Sequence, residues 1–133
     1  MSEPNSILVI DDEEAILDLL RYHIGSKYRC VTATSAEEAM RVLETESFHL
    51  VLTDIRLPGA SGFELGEVVR TRYPQTVVMM MTGMQGGLYA RRALEAGVFS
   101  FVTKPIEFTR LAQLIEGALR HQAIMARQAG SPR

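Results

Sequence analysis

The sequence predicts an α/β domain, a doubly wound parallel sheet in which five strands alternate with five helices lying on both faces. Three observations carry that expectation. Short apolar runs rich in β-branched residues recur along the chain, segments with apolar residues at helical spacing separate them, and Gly, Pro and Ser punctuate the junctions. A length of 133 residues suits one domain with a real core and is too short for two.

Ile7-Leu8-Val9-Ile10 is unbroken and followed by polar residues, as expected of a strand buried on both faces. From Glu13, Ile16, Leu17, Leu20 and Ile24 recur at helical spacing, with acids in the first turn and Gly25 near the end. Tyr28 to Ala33 has mixed polarity and reads as a strand nearer the sheet edge. Ser35 and Glu38 have capping-box spacing, opening a helix through Ala39, Met40 and Leu43. Leu50-Val51-Leu52 forms a third strand that ends at Thr53-Asp54. Pro58, Gly59 and Gly62 mark a loop, and Phe63, Leu65, Val68 and Val69 carry a helix that must stop before Pro74.

Val77 to Met81 is a fourth strand, closed by Thr82-Gly83. A loop bearing Gly83, Gly86 and Gly87 leads into a helix containing Tyr89, Ala90, Ala93 and Leu94, capped by Gly97. Val98 to Val102 supplies the fifth strand, and Pro105, which has no N–H to donate, suits the first turn of the last helix. Leu111, Leu114, Ile115, Ala118 and Leu119 form that helix's apolar stripe. Met79, Met80 and Met81 are expected to fill the core, and the tail from Gln128 to Arg133 to fray.

Composition excludes several functions. A net charge of −2 lacks the basic excess of a nucleic-acid binder, and no apolar run is long enough to span a bilayer. The N-terminus lacks the features of a secretory signal, and the single cysteine, Cys30, cannot form an internal disulfide. A cytoplasmic domain is expected. The charge is unevenly spread: residues 1–54 hold 11 acids and 4 bases, whereas residues 55–133 hold 5 acids and 10 bases.

In such sheets ligands bind outside the carboxyl ends of the strands. Those ends carry Asp11-Asp12 after the first strand, Asp54 after the third, Thr82 after the fourth and Lys104 after the fifth. Singly, each has an ordinary structural reading: a helix cap, a turn aspartate, a turn start, a surface lysine. Together they place three carboxylates, a hydroxyl and an amine on one rim. Clustered carboxylates with no His or Cys nearby suit Mg²⁺, and Lys104 and Thr82 could bind phosphoryl oxygens. His23, His49 and His121 fall outside the rim.

These residues resemble the receiver domain of two-component response regulators, a flavodoxin-like fold with strand order 2-1-3-4-5. The resemblance rests on Ile7 to Glu13, Leu52 to Gly59, Gly62, Met81-Thr82-Gly83 and Phe101 to Pro105, in the family's order and at its spacing. It implies a receiver over residues 5–124 with flexible ends at 1–4 and 125–133. It further implies that Asp54 accepts a phosphoryl group from a sensor histidine kinase or phosphotransfer protein. Asp12 and Asp54 would contact Mg²⁺, Asp11 would act through a water, and the Arg56 carbonyl would complete the protein ligands. Lys104 would neutralise phosphoryl charge, and a cis bond to Pro105 would aim it inward.

The resemblance also implies a switch. Thr82 would move to the phosphoryl group, Phe101 would turn inward, and the face of the fourth helix, fifth strand and fifth helix would change for a partner or a second copy of the chain. Arg56 and Met84 match positions that tune phosphate loss; neither offers a group to orient water, so a long-lived phosphoform is expected. Arg91-Arg92 reads either as a docking patch for an acidic partner or as solvated helix surface.

Other chemistries fit less well. A phosphatase of the haloacid dehalogenase type needs a second Asp two residues after its nucleophile, where this chain has Arg56. A dinucleotide-binding enzyme would want glycines after the first strand, where Asp11 to Glu14 would repel phosphates. A receiver that acts without phosphorylation is the remaining rival.

Overall fold

The computed structural model describes residues 4–83 and 87–130. Five strands, β1 (Ser6–Ile10), β2 (Arg29–Ala33), β3 (Leu50–Asp54), β4 (Val77–Thr82) and β5 (Ser100–Thr103), alternate with α1 (Glu14–Gly25), α2 (Ala36–Thr45), α3 (Gly62–Arg72), α4 (Gly87–Glu95) and α5 (Phe108–Gly130). All pairings are parallel and the strand order is β2-β1-β3-β4-β5. The doubly wound fold and its strand order are as expected.

Alternation along the buried strands splits the core in two. Leu8, Ile10, Val51, Val78 and Met80 face α2, α3 and α4, meeting Ala39, Leu43, Phe63, Leu65, Val69 and Ala93. Ile7, Val9, Leu50, Leu52, Met79, Met81 and Val102 face α1 and α5, meeting Leu17, Leu20, Ile24, Leu111, Ile115 and Ala118. The three methionines are fully buried and serve both layers. β2, with its mixed polarity, is an edge strand.

Several boundaries depart from expectation for identifiable reasons. The fifth strand begins at Ser100 rather than Val98, because Val98 N–H still donates to Ala93 O and completes the exit from α4. Gly97, at φ 79°, makes the left-handed turn there. Pro105 is not in the first turn of α5, which starts at Phe108; the Glu107 carboxylate accepts from Thr109 N–H and Arg110 N–H and serves as the cap. The helix runs through Gly130, so residues 125–130, expected within a flexible end, are helical.

The cap of α2 is also rearranged. Ser35 accepts from Glu38 N–H, but the Glu38 carboxylate accepts from Thr34 N–H and its hydroxyl instead of closing the box. The reciprocal capping box belongs to α3, between Ser61 and Glu64. Arg91 and Arg92 are both exposed on α4, as a solvated helix surface would have them, and the Arg92 guanidinium also lies 4.2 Å from the Phe63 ring centroid of α3.

Candidate functional site

Each candidate side chain is delivered by the carboxyl end of a strand. Asp11 follows β1, and its backbone N–H donates to Ala33 O at the end of β2. Its Oδ1 accepts from Glu13 N–H at 2.9 Å, so the aspartate turns the chain into α1 while its second oxygen faces the rim. The residue at the N-cap of α1 is Glu13, whose side chain makes no cap bond, and Asp12 lies exposed beside it. Asp54 and Thr82 end β3 and β4 and are both buried.

Lys104 joins these ends. Its Nζ lies 2.7 Å from Asp11 Oδ2 and 3.1 Å from Asp54 Oδ2, with Glu13 at 3.9 Å. Asp11 is fully buried, and the side chains of Asp54 and Lys104 are 9% and 16% exposed. Lys104 N–H donates to Thr82 O, tying the lysine's backbone to β4, and the Lys104–Pro105 peptide bond is cis. Carboxylate oxygens of Asp11, Asp12 and Asp54 lie within 4.8 Å of one another.

The electrostatics follow from burial. Desolvation pushes the Asp54 carboxyl above its ordinary value, more than the hydrogen bond and charge of Lys104 pull it down, and Asp11 adds to the rise. Burial alone would lower the Lys104 ammonium, but hydrogen bonds to Asp11 and Asp54 outweigh it and hold the group charged beyond its usual range. A carboxyl raised in the fold is most stabilising below its unfolded pKa and loses that contribution as pH rises through its folded one. Asp54→Asn is therefore expected to stabilise the ligand-free protein at pH 7, read as a later urea midpoint. A midpoint unchanged or earlier than the native one would refute this.

Asp11, Asp12, Asp54, Thr82 and Lys104 thus converge on one rim. Arg56 is adjacent: its N–H points at Asp54 Oδ1 at 3.4 Å, while its side chain lies on an exposed residue. Phe101 sits half-buried against the α2–α4 layer and lines a groove of about 320 Å³ with Thr103, Pro105 and Arg110. Met84 lies outside the described residues. The three histidines are elsewhere: His23 stacks on Phe108, His49 accepts from Ser6 N–H, and His121 lies beside Phe99.

A family model for the response regulator receiver domain matches residues 7–116, and that span includes every residue on the rim. The chain belongs to the response regulator receiver domain family. The response regulator protein PilR of Pseudomonas aeruginosa is 42% identical over 114 residues, which are 85% of this chain and 26% of PilR. The DNA-binding transcriptional regulator NtrC of Klebsiella pneumoniae is 30% identical over 85% of this chain and 24% of its own length. The chain therefore spans about a quarter of each of these relatives.

Solved structures agree. The CheY-like receiver domain protein of Methanospirillum hungatei superposes with a TM-score of 0.86 at 31% identity, covering 92% of this chain and 99% of that one. The signal receiver domain of an HD domain-containing protein from Pseudomonas fluorescens gives 0.90 at 25% identity, covering 96% and 95%. Among the described residues of this receiver, no helix is long and apolar enough to cross a membrane.

Sequence reasoning missed three contacts around the site. Glu107 caps the helix after Lys104, the Ser61–Glu64 box fixes the start of α3 behind Asp54, and Glu37 reaches the loop after β3 from α2. The first two have local signals, a carboxylate before a helix and an S-x-x-E spacing. Glu37 has none, because its partner Ala60 is 23 residues away.

Proposed function

We propose that this receiver is a phosphorylation switch that carries its phosphoryl group on Asp54 and receives it from the phosphohistidine of a sensor histidine kinase or phosphotransfer protein. The observation behind this reading is the bridge of Lys104 between buried Asp11 and Asp54, with Thr82 ending the neighbouring strand. A carboxylate oxygen of Asp54 forms the new O–P bond as the P–N bond to histidine breaks, and the histidine nitrogen keeps the electron pair.

The acids suit a divalent cation. Their donors are all oxygen and mutually close, which favours a hard ion such as Mg²⁺. Asp11, Asp12, Asp54 and the Arg56 carbonyl would hold it. When bound, Mg²⁺ supplies the positive charge that lets a phosphoryl group enter an acidic pocket. Lys104 offsets charge on one phosphoryl oxygen, and the Thr82 hydroxyl donates to another.

The same contact signals. Movement of Thr82 toward the phosphoryl group draws the loop after β4, Phe101 turns from its half-buried position into the vacated space, and the α4-β5-α5 face changes. Its reader would be an output domain, a partner or a second copy of the chain. The covalent change is made on the protein itself, so the domain acts as a signalling switch of the cytoplasm rather than as an enzyme on outside substrates.

Incubation with acetyl phosphate, or with beryllofluoride, and Mg²⁺ should give a one-site adduct by intact-mass measurement, and Asp54→Asn should form none. An adduct that persists in Asp54→Asn overturns the assignment. No adduct on the native chain, under conditions that modify a control receiver, favours a receiver that works by interaction alone.

A further inference from the structure

We propose that Glu37 of α2 is a positioning residue for the acidic rim, holding the loop between β3 and α3 through the Ala60 backbone. The inference rests on the reading above, in which that loop supplies the Arg56 carbonyl to a cation. It concerns a residue outside the rim, on a different element.

Glu37 Oε2 accepts from Ala60 N–H at 3.0 Å, across 23 residues of sequence. Glu38, the neighbouring acid, is spent on its own helix start at Thr34, so the two side by side serve different ends. Gly59 makes room for this contact. Its φ of 75° turns the loop, and a Cβ there would stand 3.0 Å and 3.2 Å from the two Glu37 carboxylate oxygens.

The loop is held at both ends as well. Arg56 N–H faces Asp54 Oδ1 on one side, and Gly62 N–H donates to Ile55 O at 2.8 Å beside the Ser61–Glu64 box on the other. Between them, Leu57 packs on the core and the Glu37 contact fixes Gly59 and Ala60. Without it, the middle of the loop keeps only the packing of Leu57 and Ala60 on the core, and the Arg56 carbonyl loses part of its preorganisation. The Glu37 carboxyl sits below its ordinary value, first because the Ala60 N–H donates to its ionised form.

The test compares Glu37→Ala with Glu37→Gln, which keeps an acceptor oxygen and removes the charge. Mg²⁺ affinity is read by chemical-shift titration, and exchange protection of the Ala60 amide is read without Mg²⁺. Glu37→Ala should bind Mg²⁺ about threefold to tenfold more weakly and lose Ala60 protection; Glu37→Gln should stay near native in both. Native affinity or native Ala60 protection in Glu37→Ala overturns the role. Equal weakening in both variants also overturns it, since the charge alone would then be acting. A native chain that gives no Mg²⁺ response overturns the metal reading itself, and this role with it.

Discussion

Gly62→Ala should cost about 3–5 kcal/mol of stability, measured as an earlier urea midpoint. A Cβ at this position would stand 2.2 Å from the Asp54 carbonyl oxygen, 2.9 Å from Ile55 Cα and 3.0 Å from the Asp54 carbonyl carbon. Every one of those atoms is backbone, so no side-chain rotation relieves the overlap. The backbone is also pinned: Asp54 O accepts from the Thr53 hydroxyl, Ile55 N–H donates to Met81 O, and Gly62 N–H donates to Ile55 O. Relief requires moving the start of α3 or the end of β3, and the second of these carries Asp54. Gly66→Ala is the control. Its Cβ would meet Met80 Cε at 3.0 Å, the free end of a flexible side chain, and helix propensity favours Ala. That variant should stay within about 1 kcal/mol of native. Equal midpoints for Gly62→Ala and the native protein would sink the close-approach account.

Lys104→Met should destabilise the ligand-free protein by about 2–4 kcal/mol at pH 7. Methionine retains much of the stem, so the loss comes from the ammonium. Asp11, fully buried, and Asp54 would then face each other without a cation between them. The sign of the pH dependence follows. The raised Lys104 pKa gives a contribution fully present below 10.5, the group's ordinary value, and lost only as pH rises through the folded value. At neutral pH the native protein therefore has all of it. In Lys104→Met the Asp54 carboxyl loses the neighbour that pulls it down and rises further, so stability should recover as pH falls below neutrality and protonation removes the repulsion. Millimolar Mg²⁺ should restore more stability to the variant than it adds to the native chain. A flat pH profile in the variant, with a native urea midpoint, would show that Lys104 is not what holds the acids together.

Local patterns made the architecture legible. β1, β3 and β4 are continuous apolar runs because helices cover both faces of the sheet, and the helices between them carry apolar stripes at their own period. The rim was legible for a related reason. In a parallel sheet all strands point the same way, so residues that follow different strands must share one end, whatever their distance in sequence. Less legible were the turns. Val98 follows Gly97 and looks like the start of a strand, yet its N–H closes the end of α4. Pro105 looks like a first helical turn, yet Glu107 caps a helix that starts later. Arg92 reads as surface from its charge and is exposed, and only the placement of Phe63 on α3 supplies the ring that its guanidinium meets.

The sequence by itself determined the alternation of elements, the residue types at each strand end, and a family membership carried by motifs spread from Ile7 to Pro105. Tertiary structure alone decided how close those residues come and what surrounds them. Lys104 meets Asp11 across 93 residues and Asp54 across 50, at distances set by strand register and the loop after β5. The elevated Asp54 carboxyl, the missing side chain at Gly62 and the Glu37–Ala60 clamp have the same origin. Periodicity reports only on neighbours within a turn or a pleat. Burial and contact between distant segments depend on how whole layers pack, and no window of sequence contains that information.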